Sequence, residues 1–465
     1  MARIVPVAAA LCALLFLLAC QTEAQLLNTT FPAIGSVAGP NTTCVGYTDP
    51  VNLQAKLKSA RLGEVIVICS DIEVNVTLEV SKAVTIIGGN TTTGAPYTIY
   101  GSLDTDYYGY GYVQLFEVAD LVGPVVFQNL ELSYGYSDYY GGAVLVGDNA
   151  VASFINVAFT NNYAYYGAAV YTGGNTTFLG CVFYNNTAER DGGAVYLDNG
   201  SGGKTLSVKD SIFYASIAGR SGGAIYMYSS GGYALITDSV FAESEATEEG
   251  GAIYVTSGSN ATITYTDFIN GTSATGGGAV YMHGYGVFAG NSFENNQAPR
   301  GGAVYTYGSK NTSFCGGDNF TANVAQVVGL GDNVYVEYTY DDTSATSFCP
   351  AIPLGVVNAQ SPYSGYSNAS CINCDPMMIC DKNATGILTP VGVNCTCNAG
   401  FYGSGYACYA LGYNTTSFLN NLTATLNATA TNITANLTRL ANSTTASNRT
   451  AVNVTALRAG DLMTP

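Results

Sequence analysis

A four-residue phrase, Gly-Gly-Ala followed by Val or Ile, recurs through the middle of the chain and leaves few folds open to it. It stands at Gly141-Gly142-Ala143-Val144, Gly192-Gly193-Ala194-Val195, Gly222-Gly223-Ala224-Ile225, Gly250-Gly251-Ala252-Ile253, Gly277-Gly278-Ala279-Val280 and Gly301-Gly302-Ala303-Val304, with a variant at Gly167-Ala168-Ala169-Val170. The first glycines are 26, 25, 30, 28, 27 and 24 residues apart. A period of that length, filled with strand-forming residues, marks a solenoid in which each unit is one layer on the next.

A second phrase keeps the same period: Phe159-Thr160-Asn161-Asn162, Phe183-Tyr184-Asn185-Asn186, Phe268-Ile269-Asn270, Phe293-Glu294-Asn295-Asn296 and Phe320-Thr321-Ala322-Asn323, with degenerate copies at Phe213 and Phe241. Between the phrases lie short alternating runs such as Leu206-Ser207-Val208, bounded by Gly, Asn, Ser and Asp. This is the strand signal, and no unit carries a helical period. The prediction is an all-β fold, a single-stranded right-handed parallel β-helix over 65–345. Roughly ten coils at the strand spacing of about 4.8 Å make a rod on the order of 50 Å long. Like residues then stack in columns: Phe inside the coil, Asn at bends where left-handed backbone is tolerated, and Gly-Gly where the chain turns sharply beside its neighbour.

An open solenoid end needs a cover. Asp49-Pro50 reads as the start of a short helix with Leu53, Leu57 and Ala60 on one face and Gly63 closing it, within an N-terminal segment of 25–64. Cys44 before the helix and Cys69 after it are candidates for a disulfide tying this cap to the first coil.

Arg3, the apolar run Leu11–Ala19 and Thr22-Glu23-Ala24 have the layout of a secretory signal peptide over 1–24. Leu17-Leu18-Ala19-Cys20 leaves a lipoprotein box as the competing reading. Twenty-two Asn-x-Ser/Thr sequons run from Asn28 to Asn453, among them Asn175, Asn260, Asn270, Asn311, Asn421, Asn427, Asn432 and Asn436. No later apolar stretch is long enough for a membrane span. The formal charge of -17, with 15 scattered Lys and Arg, excludes a nucleic-acid partner. No calcium-repeat pattern is present, and no metal or other cofactor is expected.

Six cysteines, Cys371, Cys374, Cys380, Cys395, Cys397 and Cys408, crowd into 371–408, after a linker over 346–370. Six cysteines allow fifteen connectivities. The run from Cys395 through Cys397, Gly400, Phe401 and Gly403 to Cys408 resembles the second half of an EGF-like module. The resemblance implies the pairs Cys371–Cys380, Cys374–Cys395 and Cys397–Cys408. Zinc at Cys371 and Cys374 is the alternative. Cys315 and Cys349 are candidates to staple the last coils, and Cys181 is left over as a small core residue. The Asn/Thr-rich tail over 409–465 reads as a glycosylated stalk, with a weak amphipathic helix as the other possibility.

The paired Gly-Gly-Ala-Ile/Val and Phe-x-x-Asn phrases resemble the repeat of the polymorphic outer membrane protein family over about residues 125 to 340. The resemblance implies a pectin lyase-like β-helix exposed at a surface and acting in adhesion. Residues 409–465 lack the alternating strands of the membrane barrel in which many members end.

β-Helices also carry polysaccharide-degrading enzymes, and that alternative calls for clustered carboxylates with a nearby His or Arg. His283, the one histidine, has no matching acidic motif, Asp341-Asp342 lies past the clear coils, and Arg190, Arg220 and Arg300 sit just before the Gly-Gly phrases as turn residues. No catalytic residue is assigned. The 36 tyrosines, against no tryptophan, point to contact chemistry instead. Tyr107, Tyr108, Tyr110, Tyr112, Tyr139, Tyr140, Tyr165 and Tyr166 are the candidate ligand contacts, and strand packing is the plainer role for some of them. The expected function is that of a secreted, non-catalytic surface or matrix rod acting in adhesion or wall architecture. Its partners would be extracellular glycans or cell-surface proteins.

Overall fold

The computed structural model describes residues 46–89, 96–102, 113–198, 203–228, 231–307, 312–316, 318–327, 330–337 and 346–349, with shorter segments between 357 and 410. Each sequence unit is one coil. In the central coil the chain runs through Thr205–Lys209, Ile212–Tyr214, Ile217–Ala218 and Ile225–Met227, which belong in turn to sheets A, B, D and C. Equivalent strands of successive coils pair in parallel, giving 12 strands in sheet A, 11 in C, 10 in B and 8 in D among the described residues. This is the parallel β-helix expected from the repeat.

Alternation decides what faces inward. Leu206 and Val208 are buried while Thr205 is exposed between coils. Because the coils stay in register, the inward residues form columns. The rings of Phe159, Phe183, Phe213, Phe241, Phe268, Phe293 and Phe320 lie face to face with centroids 4.2 to 5.2 Å apart. Shorter columns join Phe127, Phe154 and Phe178, and Phe288, Phe314 and Phe348. One continuous core runs from Leu53 to Phe348.

Four bends close each coil, and three of them are made largely by one residue in left-handed conformation. Asn156, Asp210 and Asp238 turn sheet A into B; Asn161, Asn185, Asn270 and Asn295 turn B into D; the first glycines of the repeated phrase turn D into C. In the Phe-x-Asn-Asn phrase the two asparagines therefore divide their work. The first bends the chain, and the second is buried. Asn162 donates from its side chain to Asn186 Oδ1 at 2.9 Å and Asn186 donates to Phe159 O at 3.0 Å, a ladder repeated between Asn296 and Asn323. These bonds satisfy backbone groups that the bend removes from the sheets.

Two of the coils that lack this asparagine carry Ser216 and Ser244 in its place, whose hydroxyls are buried without a partner. Ser216→Asn is expected to extend the ladder from Asn186 and raise stability by about 1 kcal/mol, read as an increase in thermal midpoint. An unchanged or lowered midpoint would count against the ladder as a stabilising device.

The N-terminal end is closed by helix α1 (Pro50–Ser59), capped by Asp49, which accepts from Asn52 N. Leu53 and Leu57 are buried in the common core. Gln54 accepts from Glu79 N at 2.8 Å and donates to Glu79 O, so a side chain covers backbone groups of the first strand of sheet C. Cys69 is disulfide-bonded; Cys44 lies outside the described residues.

The C-terminal end departs from expectation. Coil stacking does not stop at 345, and 346–370 is not a linker: Thr346–Phe348 and Tyr366–Asn368 extend sheet A, and Val357–Ala359 extends sheet C. A layer needs only in-register strands and an inward side chain, and Phe348 supplies one by stacking 4.8 Å from Phe314.

The cysteine pairing also differs. Cys315 bonds Cys374, and Cys380 bonds Cys395, so the implied Cys371–Cys380 and Cys374–Cys395 pairs and the Cys315–Cys349 staple do not form. Cys315 and Cys349 follow paired residues of adjacent layers and share one buried cluster with Ala289, Cys374 and Cys395. Cys349 and Cys397 are also disulfide-bonded, and Cys371 lies outside the described residues. The module itself contains two hairpins, Ala384–Thr389 with Gly392–Cys397 and Phe401–Gly403 with Cys408–Ala410. Cys181 is a buried core thiol, as expected. It donates to Phe154 O, and burial pushes its pKa up to about 12.

Candidate functional site

The residue two places after the alanine of the repeated phrase points out of sheet C, and the position is tyrosine in seven successive layers from Tyr171 to Tyr335. Tyr171, Tyr196, Tyr226, Tyr254, Tyr281, Tyr305 and Tyr335 are successive register partners. From Tyr171 to Tyr305 the rings stack with centroids 4.4 to 5.2 Å apart and planes within 11° of parallel. Stacking covers their faces. Tyr196 and Tyr226 keep only 7% and 5% of their surface open, so the column presents hydroxyls and ring edges. Burial raises these phenols, Tyr226 to about 12 and Tyr171, Tyr196, Tyr254 and Tyr281 further. They stay neutral at any physiological pH.

Beside this column, at the turn from sheet D into sheet C, lies a charged row. Asp191 is buried and accepts from Arg220 Nε at 2.9 Å and from Ser221 N at 3.2 Å. Arg220 also approaches Glu248, and Ser221 donates to Glu249 at 2.9 Å. Burial raises the Asp191 carboxyl although Arg220 and its bonds pull it down, and burial likewise raises Glu249. Arg190 donates to Tyr166 Oη at 3.0 Å and lies over the Tyr166 ring. Arg220 is thus a turn residue, as expected, but a tied one, whereas Arg190 lies within the sheet D strand Thr187–Asp191. The acids next to them are engaged inside the row.

The N-terminal end of the tyrosine column is different. There Tyr140 packs on Tyr171 at 4.4 Å and on Tyr166 at 5.9 Å, Tyr165 meets Tyr166 edge-on at 4.8 Å, and Tyr139 lies 6.2 Å from Tyr140. Tyr139 is 68% exposed and Tyr140 41%. Four of the eight tyrosines singled out in the sequence are therefore brought together, with open ring surface on the outermost two. Tyr107, Tyr108, Tyr110 and Tyr112 lie outside the described residues. Local crowding of tyrosine does not reveal the long column. The phrase Ala-Val/Ile-Tyr, repeated six times from Ala169 to Tyr305, carried the signal.

Among the described residues no group of three or more His, Cys, Asp or Glu side chains is placed to hold a metal ion, and no helix is long and apolar enough to cross a membrane. His283 packs against Tyr307 with centroids 4.5 Å apart. Asn175, Asn260 and Asn270 are exposed; Asn311, Asn421, Asn427, Asn432 and Asn436 lie outside the described residues, as do residues 1–45 and Asp341-Asp342.

A family profile for a right-handed β-helix region matches residues 191–339, and the Chlamydia polymorphic membrane protein repeat matches residues 180–198. The second match spans Val182-Phe183 through Gly192-Gly193-Ala194, the two phrases that build the inner column and the D-to-C turn. The repeat is one of surface-associated proteins. No curated protein and no solved structure matches the chain.

Proposed function

We propose that this β-helix is an exported, non-catalytic rod of a cell surface or extracellular matrix that acts in adhesion or wall architecture. It binds extracellular glycans or cell-surface proteins through the exposed tyrosines at the head of its aromatic column. The observation that carries this reading is the contrast within one face. Along most of sheet C the rings are stacked and the acids and arginines engage one another, whereas Tyr139 and Tyr140 offer rigid, amphipathic surface to a partner. A non-catalytic role is supported by the same saturation: Asp191 and Glu249, the raised carboxyls of this face, are held by Arg220 and Ser221. The polysaccharide-active alternative predicts reducing ends or unsaturated products from a panel of acidic and neutral polysaccharides, and their release would replace the adhesive reading.

Aromatic anchors at binding surfaces commonly account for 2 kcal/mol or more, about thirtyfold in affinity. The double variant Tyr139→Ser/Tyr140→Ser is accordingly expected to weaken retention on native cell surfaces or wall polysaccharide at least about tenfold. Its thermal midpoint should stay close to that of the parent, since both rings are on the outside. Undiminished retention would reject these two tyrosines as the contact.

A further inference from the structure

We propose that N-linked oligosaccharides attach at Asn75, Asn175, Asn185, Asn260, Asn270 and Asn319, which, among the described residues, confines glycan to the side of the rod formed by sheets A and B and leaves the side formed by sheets C and D bare. The inference rests on the export proposed above and adds to it which residues are modified and which face that leaves free.

Within the rod the asparagines sort cleanly. Each of these six has Ser or Thr two places on, and each is exposed. The buried asparagines Asn162, Asn186, Asn291, Asn296 and Asn323 all lack that hydroxyl residue, the second position on being Ala or Phe. An acceptor is modified before its coil is formed, so any asparagine that carries a glycan must later remain outside the packed structure. Had a ladder asparagine carried the motif, a glycan on it would have blocked the stacking of the coil above. Among the rod residues whose exposure is described, the motif occurs only where the finished fold tolerates it.

Their positions form a pattern. Asn175 and Asn260 are both first residues of sheet A strands, Thr205 and Tyr233 occupying the two layers between them in the same column. Asn185 and Asn270 are both left-handed residues of the turn leaving sheet B. Asn319 opens a strand of sheet B, and Asn75 follows one. None of the six lies on a strand of sheet C or sheet D. The amide of Asn185 donates to Asn161 Oδ1 at 2.8 Å; an N-linked amide keeps one N–H, so attachment through the other hydrogen leaves that bond in place. The bare side holds the tyrosine column and the Tyr139–Tyr140 cluster, which a neighbouring glycan would otherwise screen.

The test is site mapping of the full chain secreted from a eukaryotic host, once with its own first 24 residues and once with a foreign leader in their place. Release of glycans by amidase in oxygen-18 water converts each occupied asparagine to labelled aspartate. Label at most of the six sites in the leader-swapped protein is the expected result. Absence of label at Asn185, Asn260 and Asn270 in that protein would overturn the proposal, whereas failure of only the native-leader form to be secreted would strike the export reading and leave acceptor geometry standing. A second arm uses Glu245→Asn, which places an acceptor two residues before Thr247 on exposed sheet D. Occupied, it should cut cell-surface retention at least tenfold without changing the melting midpoint. Full retention with proven occupancy would overturn the bare-face assignment, even if Tyr139→Ser/Tyr140→Ser still abolishes binding.

Discussion

Gly223→Ala is expected to unfold the central coils at temperatures where the parent is intact, a loss above about 4 kcal/mol and so among the largest that single substitutions produce. A methyl group built on Gly223 would stand 2.0 Å from Gly251 O and 2.6 Å from Glu245 O. Both atoms are backbone of the next coil, and neither can rotate away. Gly193 and Gly251 face the next layer in the same way, each 2.0 Å from a glycine carbonyl, so the second glycine of the phrase sets the closest approach of layer to layer. The first glycine has a separate reason, a positive φ of 66° at Gly222, where a side chain costs about 1 kcal/mol. Circular dichroism melting of Gly223→Ala beside Glu245→Ala, an exposed change on the same neighbouring coil, separates the effect from general perturbation. A midpoint shift in Gly223→Ala no larger than that of Glu245→Ala would show that the layers are not packed this closely.

The second large effect is expected at Phe213, whose ring lies 4.2 Å from Phe183 and 4.5 Å from Phe241 and is fully buried. Phe213→Ala removes ring contacts on both sides and leaves a cavity that a stack of rigid layers cannot collapse into, at about 3–5 kcal/mol. Phe213→Leu keeps most of the volume and should cost about 1.5 kcal/mol. Since each layer touches only its neighbours, the damage should be local. Hydrogen exchange is predicted to quicken first between residues 183 and 241 while the coils near Phe127 and Phe314 keep their protection. Uniform loss of protection along the whole rod would contradict a layer-by-layer structure.

What the sequence disclosed followed from the geometry of stacking. A residue type that recurs at one period becomes a column, so the glycine turns, the phenylalanine core and the bending asparagines could be read from spacing alone. The same logic reaches two further features. Thr312-Ser313-Phe314-Cys315 returns as Thr346-Ser347-Phe348-Cys349, and this echo marks the added layers after the glycine phrase has ended. Tyr171 to Tyr335 form the outer aromatic column because each follows an inward Val or Ile by one place, whatever the local crowding of tyrosine. Disulfide partners are a different matter. Cys315 and Cys374 are 59 residues apart, and their meeting depends on where the module folds back against the rod, which no local spacing encodes. Likewise Asp191 could be seen in the sequence only as a turn residue. Its burial under Arg220 comes from the next coil lying above it.

The Cys315–Cys374 bond also bears on how such a rod would carry load. Inter-strand hydrogen bonds in a coiled stack run along its long axis, so tension applied to a chain end would strip layers one after another, like tape from a roll. A pull arriving through residues beyond Cys374 enters the stack at Cys315 instead. The 58 residues between them are bypassed, and the layers they form are held out of the line of force.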